Sequence, residues 1–98
     1  MTVQQRKTLY QKAIDTWGDR AQLEMAQEEA TELALAIRKL IRGKENAVAE
    51  LVSEMADVEI MIEQIKFMSP HWVMAIESEK DFKLNRLNDR LNEHDNNF

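Results

Sequence analysis

The apolar residues of this chain recur at helical rather than strand spacing. Val3, Leu9, Tyr10, Ala13, Ile14 and Trp17 are separated by charged residues at near-helical intervals, which predicts a first helix over about Val3 to Trp17, ended by Gly18. Leu23, Ala26, Ala30, Leu33, Ala34, Ile37, Leu40 and Ile41 form the stripe of a second helix. Asp19 and Gln22 have the spacing of a capping box at its start, and Lys39 and Arg42 lie near its negative end before Gly43. Asn46 is the expected N-cap of a third helix bearing Val48, Leu51, Val52, Met55, Val58, Ile62 and Ile65. Ser69 and Pro70 predict the start of a fourth, with Trp72, Val73 and Ile76 in its first half and Leu84, Leu87 and Leu91 in its second. The polar run Glu77 to Asp81 between them is expected to be exposed or bent, and the polar tail Asn92 to Phe98 to be frayed. The short loop around Gly43 demands an antiparallel hairpin of the second and third helices. The expectation is an all-α, four-helix bundle-like fold, with residues 1–98 as one domain and no internal repeat.

Composition agrees with this pattern. Two Gly and one Pro in 98 residues leave few helix breakers. A chain of this length buries only roughly 65% of its unfolded surface, so association with a second copy is the expected way to enlarge the core. The absence of Cys excludes disulfides, thiolate catalysis and thiolate-bound zinc, and suits a reducing cytoplasm. No apolar run approaches the roughly 18 residues of a membrane span, so no membrane partner is expected. The net charge of -5 argues against nucleic acid, whose backbone calls for a basic face. An anionic small molecule remains compatible if a divalent cation lies between it and the acidic groups.

Five acids stand out: Glu28, Glu29 and Glu32 in the second helix, and Glu54 and Asp57 in the third. At about 100° per residue, Glu29 lies roughly 70° and Glu32 roughly 130° from the apolar centre of their helix, with Glu28 nearly opposite. Glu54 and Asp57 lie at roughly 70° and 130° with the same sense of rotation. Antiparallel packing puts both flanks on one edge. Glu29 and Glu32 precede Gly43 by 14 and 11 residues, and Glu54 and Asp57 follow it by 11 and 14, so the heights match as well. Four carboxylates converging in this way repel one another unless a hard cation neutralises them, and an all-oxygen set favours Mg2+ or Mn2+.

The motif Glu28-Glu29-x-x-Glu32, a spacer of 21 residues and Glu54-x-x-Asp57 resembles the EExxE and ExxD signature of the MazG-like all-α nucleoside triphosphate pyrophosphohydrolases. That superfamily also holds the dimeric dUTPases and phosphoribosyl-ATP pyrophosphohydrolase. The resemblance extends from about Ile14 to Leu91, including Trp17-Gly18, Gln22 and Ala56-Asp57-Val58. It implies Glu29, Glu32, Glu54 and Asp57 as Mg2+ ligands, and Glu28 as a candidate to orient the attacking water. Lys83-Leu84 and Arg86-Leu87 approximate a downstream phosphate-binding pattern of the family with one spacer fewer, which implicates Lys83 and Arg86 in substrate binding; Trp17 and Gln22 are further substrate candidates. The reaction implied is hydrolysis of the α-β phosphoanhydride of a nucleoside triphosphate to monophosphate and pyrophosphate, in a dimer or tetramer whose sites lie at subunit interfaces.

Two other readings compete. A ferritin-like di-metal oxidase requires Glu-x-x-His pairs, which His71 and His94 do not complete. A non-catalytic helical interaction module, with a structural or vestigial metal site, is the alternative from a different functional class.

Overall fold

The structure, a computed structural model, describes residues 1–96. These residues are helical almost throughout, with no strand among them: α1 (Val3–Trp17), α2 (Asp19–Ile41), α3 (Ala47–Met68), a 3-10 turn (Pro70–Trp72) and α4 (Val73–Asn96). Two compact units are present, Met1–Met68 and Ser69–Phe98. No described helix is long and apolar enough to cross a membrane.

The helix ends show where local chemistry prevails over pattern. The capping box sits at α1, not α2: the Gln5 N–H donates to Thr2 Oγ1 at 3.1 Å and the Thr2 N–H to Gln5 Oε1 at 2.7 Å. The box expected at Asp19 and Gln22 is absent, because Gly18 alone joins the two helices. Gly18 (φ 87°) donates its N–H to the Ile14 carbonyl and accepts the Gln22 N–H on its own carbonyl, so it closes α1 and opens α2 at once. Asp19 then lies inside the first turn of α2, where its charge still favours the positive helix end, while the Gln22 side chain is buried instead of reaching back.

The exit from α2 matches expectation. Gly43 (φ 69°) donates to the Leu40 carbonyl at 3.0 Å and Lys44 to the Lys39 carbonyl at 3.1 Å, the paired bonds of a Schellman ending. Asn46, left-handed at φ 61°, accepts the Glu50 N–H at the start of α3. At Pro70 a 3-10 turn intervenes before α4, and Ser69 makes no side-chain cap. Across Glu77 to Asp81 α4 is continuous and exposed, and it extends through Asn96, beyond the point where fraying is expected. No Gly or Pro follows Pro70 to stop it. The rest of the expected frayed tail, residues 97 and 98, lies outside the described residues.

Within Met1–Met68, α2 and α3 share the main helix contact, and α1 packs more lightly on both. The seam between α2 and α3 is not the most apolar stripe of either helix. On α2 the buried and half-buried positions include Gln22, Ala26, Glu29, Leu33 and Ala36; on α3 they include Ala47, Leu51, Glu54, Val58, Met61 and Ile65. Both sets alternate steps of four and three residues, as a helix–helix seam requires. Relative to the expected stripes, each seam is rotated by roughly 65° about its helix axis. Leu23, Ile37 and Ile41 on α2, and Val48, Val52, Met55 and Ile62 on α3, are consequently exposed. Ala26, Ala36 and Ala47 in the seam explain this choice: small side chains let the backbones approach, while the bulkier residues stay outside. Tyr10 anchors α1 to α3, its ring centroid 6.1 Å from that of Phe67.

Candidate metal centre

The rotation of the seam brings acids into it. One carboxylate oxygen from each of Glu29, Glu54 and Asp57 lies within 4.8 Å of the other two. All three residues are half-buried, and Glu29 and Glu54 occupy seam positions that alanine, leucine or valine fill elsewhere along the same helices. Glu54 Oε2 is shielded from solvent and has no hydrogen-bond partner. A buried carboxylate oxygen without a donor is costly, so its environment suits a compensating cation.

Electrostatics point the same way. Lost hydration raises the Glu29 carboxyl above the ordinary range, and repulsion from Asp57, Glu54, Glu28 and Glu32 raises it further. The ion pairs of these helices, Lys39 with Glu50 at 3.2 Å, Arg20 with Glu24 at 3.0 Å and Arg6 of α1 with Glu63 at 3.2 Å, bypass the triad. The donor set is oxygen only, without His or Cys, and suits a hard divalent ion.

Of the expected ligands, Glu29, Glu54 and Asp57 are brought together. Glu32 is exposed and outside the triad, although close enough to act on Glu29. Its position lies roughly 80° from the observed seam centre, against roughly 20° for Glu29. Glu28 is exposed, as its place opposite the stripe implied. Trp17 is exposed at the end of α1. Lys83 and Arg86 are exposed on α4, in the second unit. There Lys83 borders a shallow depression with Trp72, Ile76, Glu79 and Lys80, and the Arg86 guanidinium stands 5.9 Å from the Phe82 ring centre.

Two polar features go beyond the sequence reading, in which Gln22 is a substrate candidate and Gln64 and Glu63 have no part. Gln22 and Gln64 are 2% and 4% exposed, and neither Nε2 has a hydrogen-bond partner. A signal for Gln64 exists in retrospect: it follows Asp57 by seven residues, as Gln22 precedes Glu29 by seven, and each interval returns to the same helix face. The second feature is Glu63, which accepts from the Tyr10 hydroxyl at 2.6 Å and from Arg6 at 3.2 Å. Burial, and then the bond and charge of Glu63, push the Tyr10 phenol up to about 12, with Arg6 opposing.

Comparison of the chain with protein-family models, with curated proteins and with solved structures gives no match.

Proposed function

We propose that this protein is a Mg2+-dependent nucleoside triphosphate pyrophosphohydrolase, cleaving the α-β phosphoanhydride to release monophosphate and pyrophosphate. The observation that carries the proposal is the convergence of Glu29, Glu54 and Asp57 on one point, with Glu54 Oε2 shielded and unpartnered. These residues belong to the EExxE and ExxD motifs on which the resemblance to MazG-like enzymes rests. The frame of the proposed site is an antiparallel α2–α3 hairpin, with Lys39 beside Glu50 near the turn and Glu29 beside Asp57 further along.

In this reading Glu29, Glu54 and Asp57 hold the ion, and Glu32, one helical turn from Glu29, turns inward to complete the set. Bound there, Mg2+ supplies charge neutralisation and Lewis acidity toward the phosphates; Mn2+ is a chemically similar substitute. Glu28 accepts a proton from, and orients, the attacking water. By the resemblance Lys83 and Arg86 are the candidates to take up charge on the departing pyrophosphate, and Trp17 and Gln22 are candidates to contact the nucleoside. The exposed apolar residues of α2 and α3 support association of copies as a homodimer or homotetramer, and the acidic, cysteine-free composition suits a cytoplasmic enzyme.

The same exposed residues favour the second reading, a helical interaction module with a structural metal. Activity against ribo- and deoxynucleoside triphosphates, with Mg2+ and then with a chelator, separates the two. Metal-dependent turnover supports the enzyme. Turnover that persists after chelation, or in Asp57→Asn, overturns the proposed metal centre, and complete absence of turnover favours the module.

A further inference from the structure

We infer that α4 of one copy of this chain lies antiparallel along the bare face of α3 of a second copy, with Lys80 of one set against Glu59 of the other. This docking deepens the association of copies proposed above and rests on it, while the hydrolase chemistry stands or falls separately.

The seam with α2 leaves a second stripe of α3 uncovered. Val48, Val52, Met55, Glu59 and Ile62 recur at alternating steps of four and three residues, and all five are exposed. On α4 the face carrying Val73, Ile76, Lys80, Leu84, Leu87 and Leu91 repeats at steps of three or four, and all but the half-buried Ile76 are exposed. No described residue of Ser69–Phe98 is fully buried, so α4 has no core of its own. A helix gains most of its stability by packing such a face.

The two stripes fit each other. Each is interrupted by one charged residue, acidic on α3 and basic on α4. Val48, Val52 and Met55 precede Glu59 by 11, 7 and 4 residues, and Leu84, Leu87 and Leu91 follow Lys80 by 4, 7 and 11. Laid antiparallel with the charges level, Met55 meets Leu84, Val52 meets Leu87 and Val48 meets Leu91, while Ile62 and Ile76 fall together beyond the charges. Parallel packing loses this match: Lys66 then stands level with Leu87, and Leu91 runs past the end of α3 at Met68. Among the described residues Glu59 makes no ion pair, and Lys80 has only the exposed Glu77, at 3.3 Å on its own helix. Opposite charges set within apolar stripes fix register and direction.

Both stripes are exposed in the single chain, so their cover comes from another chain. A second copy supplies both at once. Under two-fold symmetry each α4 covers the α3 of the other copy, and the same contact is made twice.

The chain has no Cys, so one engineered thiol in each copy reports the contact. Met55→Cys mixed with Leu84→Cys under mild oxidation should give a disulfide-linked heterodimer, whereas Met55→Cys mixed with Ile76→Cys, level only in parallel packing, should give little. Sedimentation equilibrium should show wild type associated, Lys80→Glu with a dissociation constant raised at least about tenfold, and Glu59→Lys combined with Lys80→Glu restored to near wild type. Both charge variants alter exposed side chains, so helical circular dichroism should stay. A monomeric wild type overturns the inference, as does an association that Lys80→Glu leaves unchanged or that the combined exchange fails to restore. So does a bridge formed within one chain when Met55→Cys and Leu84→Cys are combined, or a linked heterodimer from the Ile76→Cys mixture in place of the Leu84→Cys one. None of these outcomes touches the hydrolase reading, which metal-dependent turnover tests.

Discussion

Substituting Glu54→Gln tests whether the acidic triad is a metal site or a tolerated irregularity of the seam. Glu54 and Asp57 hold carboxylate oxygens no more than 4.8 Å apart. Two full charges at that separation repel by about 3.5 kcal/mol at an effective dielectric constant of about 20. Half-exposure and salt reduce this to ~1 kcal/mol. The carboxamide of the variant keeps the shape, loses the charge and gains a donor for the remaining carboxylates. The metal-free variant should therefore melt about 4 to 8 °C higher than wild type. Mg2+ should reverse the order of stability. At a concentration 100 times its dissociation constant a ligand stabilises by about 2.7 kcal/mol, so wild type should gain several degrees while Glu54→Gln gains little. The assay is thermal melting followed by circular dichroism, with and without MgCl2. A variant that melts below wild type without metal, or retains the full Mg2+ shift, refutes the reasoning.

Glu32→Gln should weaken the Mg2+ shift less than Asp57→Asn does, because Glu32 is exposed while Asp57 is half-buried within the triad; equal losses measured in the same melts would contradict that ranking. Glu29 binds its proton more tightly in the folded state than in the unfolded, so its ionisation destabilises the metal-free fold as pH rises from the unfolded to the folded pKa. Metal-free urea melts across that interval should show stability rising as pH falls, while Mg2+ affinity in titration calorimetry falls. Tyr10, the only tyrosine, should titrate near 12 in a near-ultraviolet absorbance experiment. Its contribution to stability is intact below the ordinary phenol value of 10.0 and is lost as pH rises through about 12, a dependence that Tyr10→Phe should remove. Lys83→Ala and Arg86→Ala should impair turnover without changing the Mg2+ shift, since neither belongs to the triad; a lost Mg2+ shift would place them in the metal centre instead.

Helix positions were legible because so few residues interrupt them. Gly18, Gly43 and Pro70 mark the breaks, and the helices α1 to α3 end where those residues require. Caps were less legible. Thr2 and Gln5 carry the capping-box spacing as plainly as Asp19 and Gln22 do, and only the single-residue link at Gly18 decides between them. The seam was not legible, since apolar periodicity shows that a face avoids water without showing which neighbour covers it. Leu23, Ile37 and Ile41 are exposed, while Ala26 and Ala36 lie between α2 and α3. For the same reason the acids were placed on the flank of the seam, whereas Glu29 and Glu54 lie within it. Register needs only the count from Gly43, and it brought Glu29 level with Asp57. Side-chain exposure depends on rotation about the helix, and there Glu32 departs from the set.

Separation of the phosphorus-containing products from one nucleoside triphosphate, incubated with the protein and Mg2+, tests the central claim most directly. The account predicts monophosphate and pyrophosphate in equal amounts, with no diphosphate at any time. Diphosphate and orthophosphate instead, or an unchanged triphosphate across the whole nucleotide panel, would contradict it.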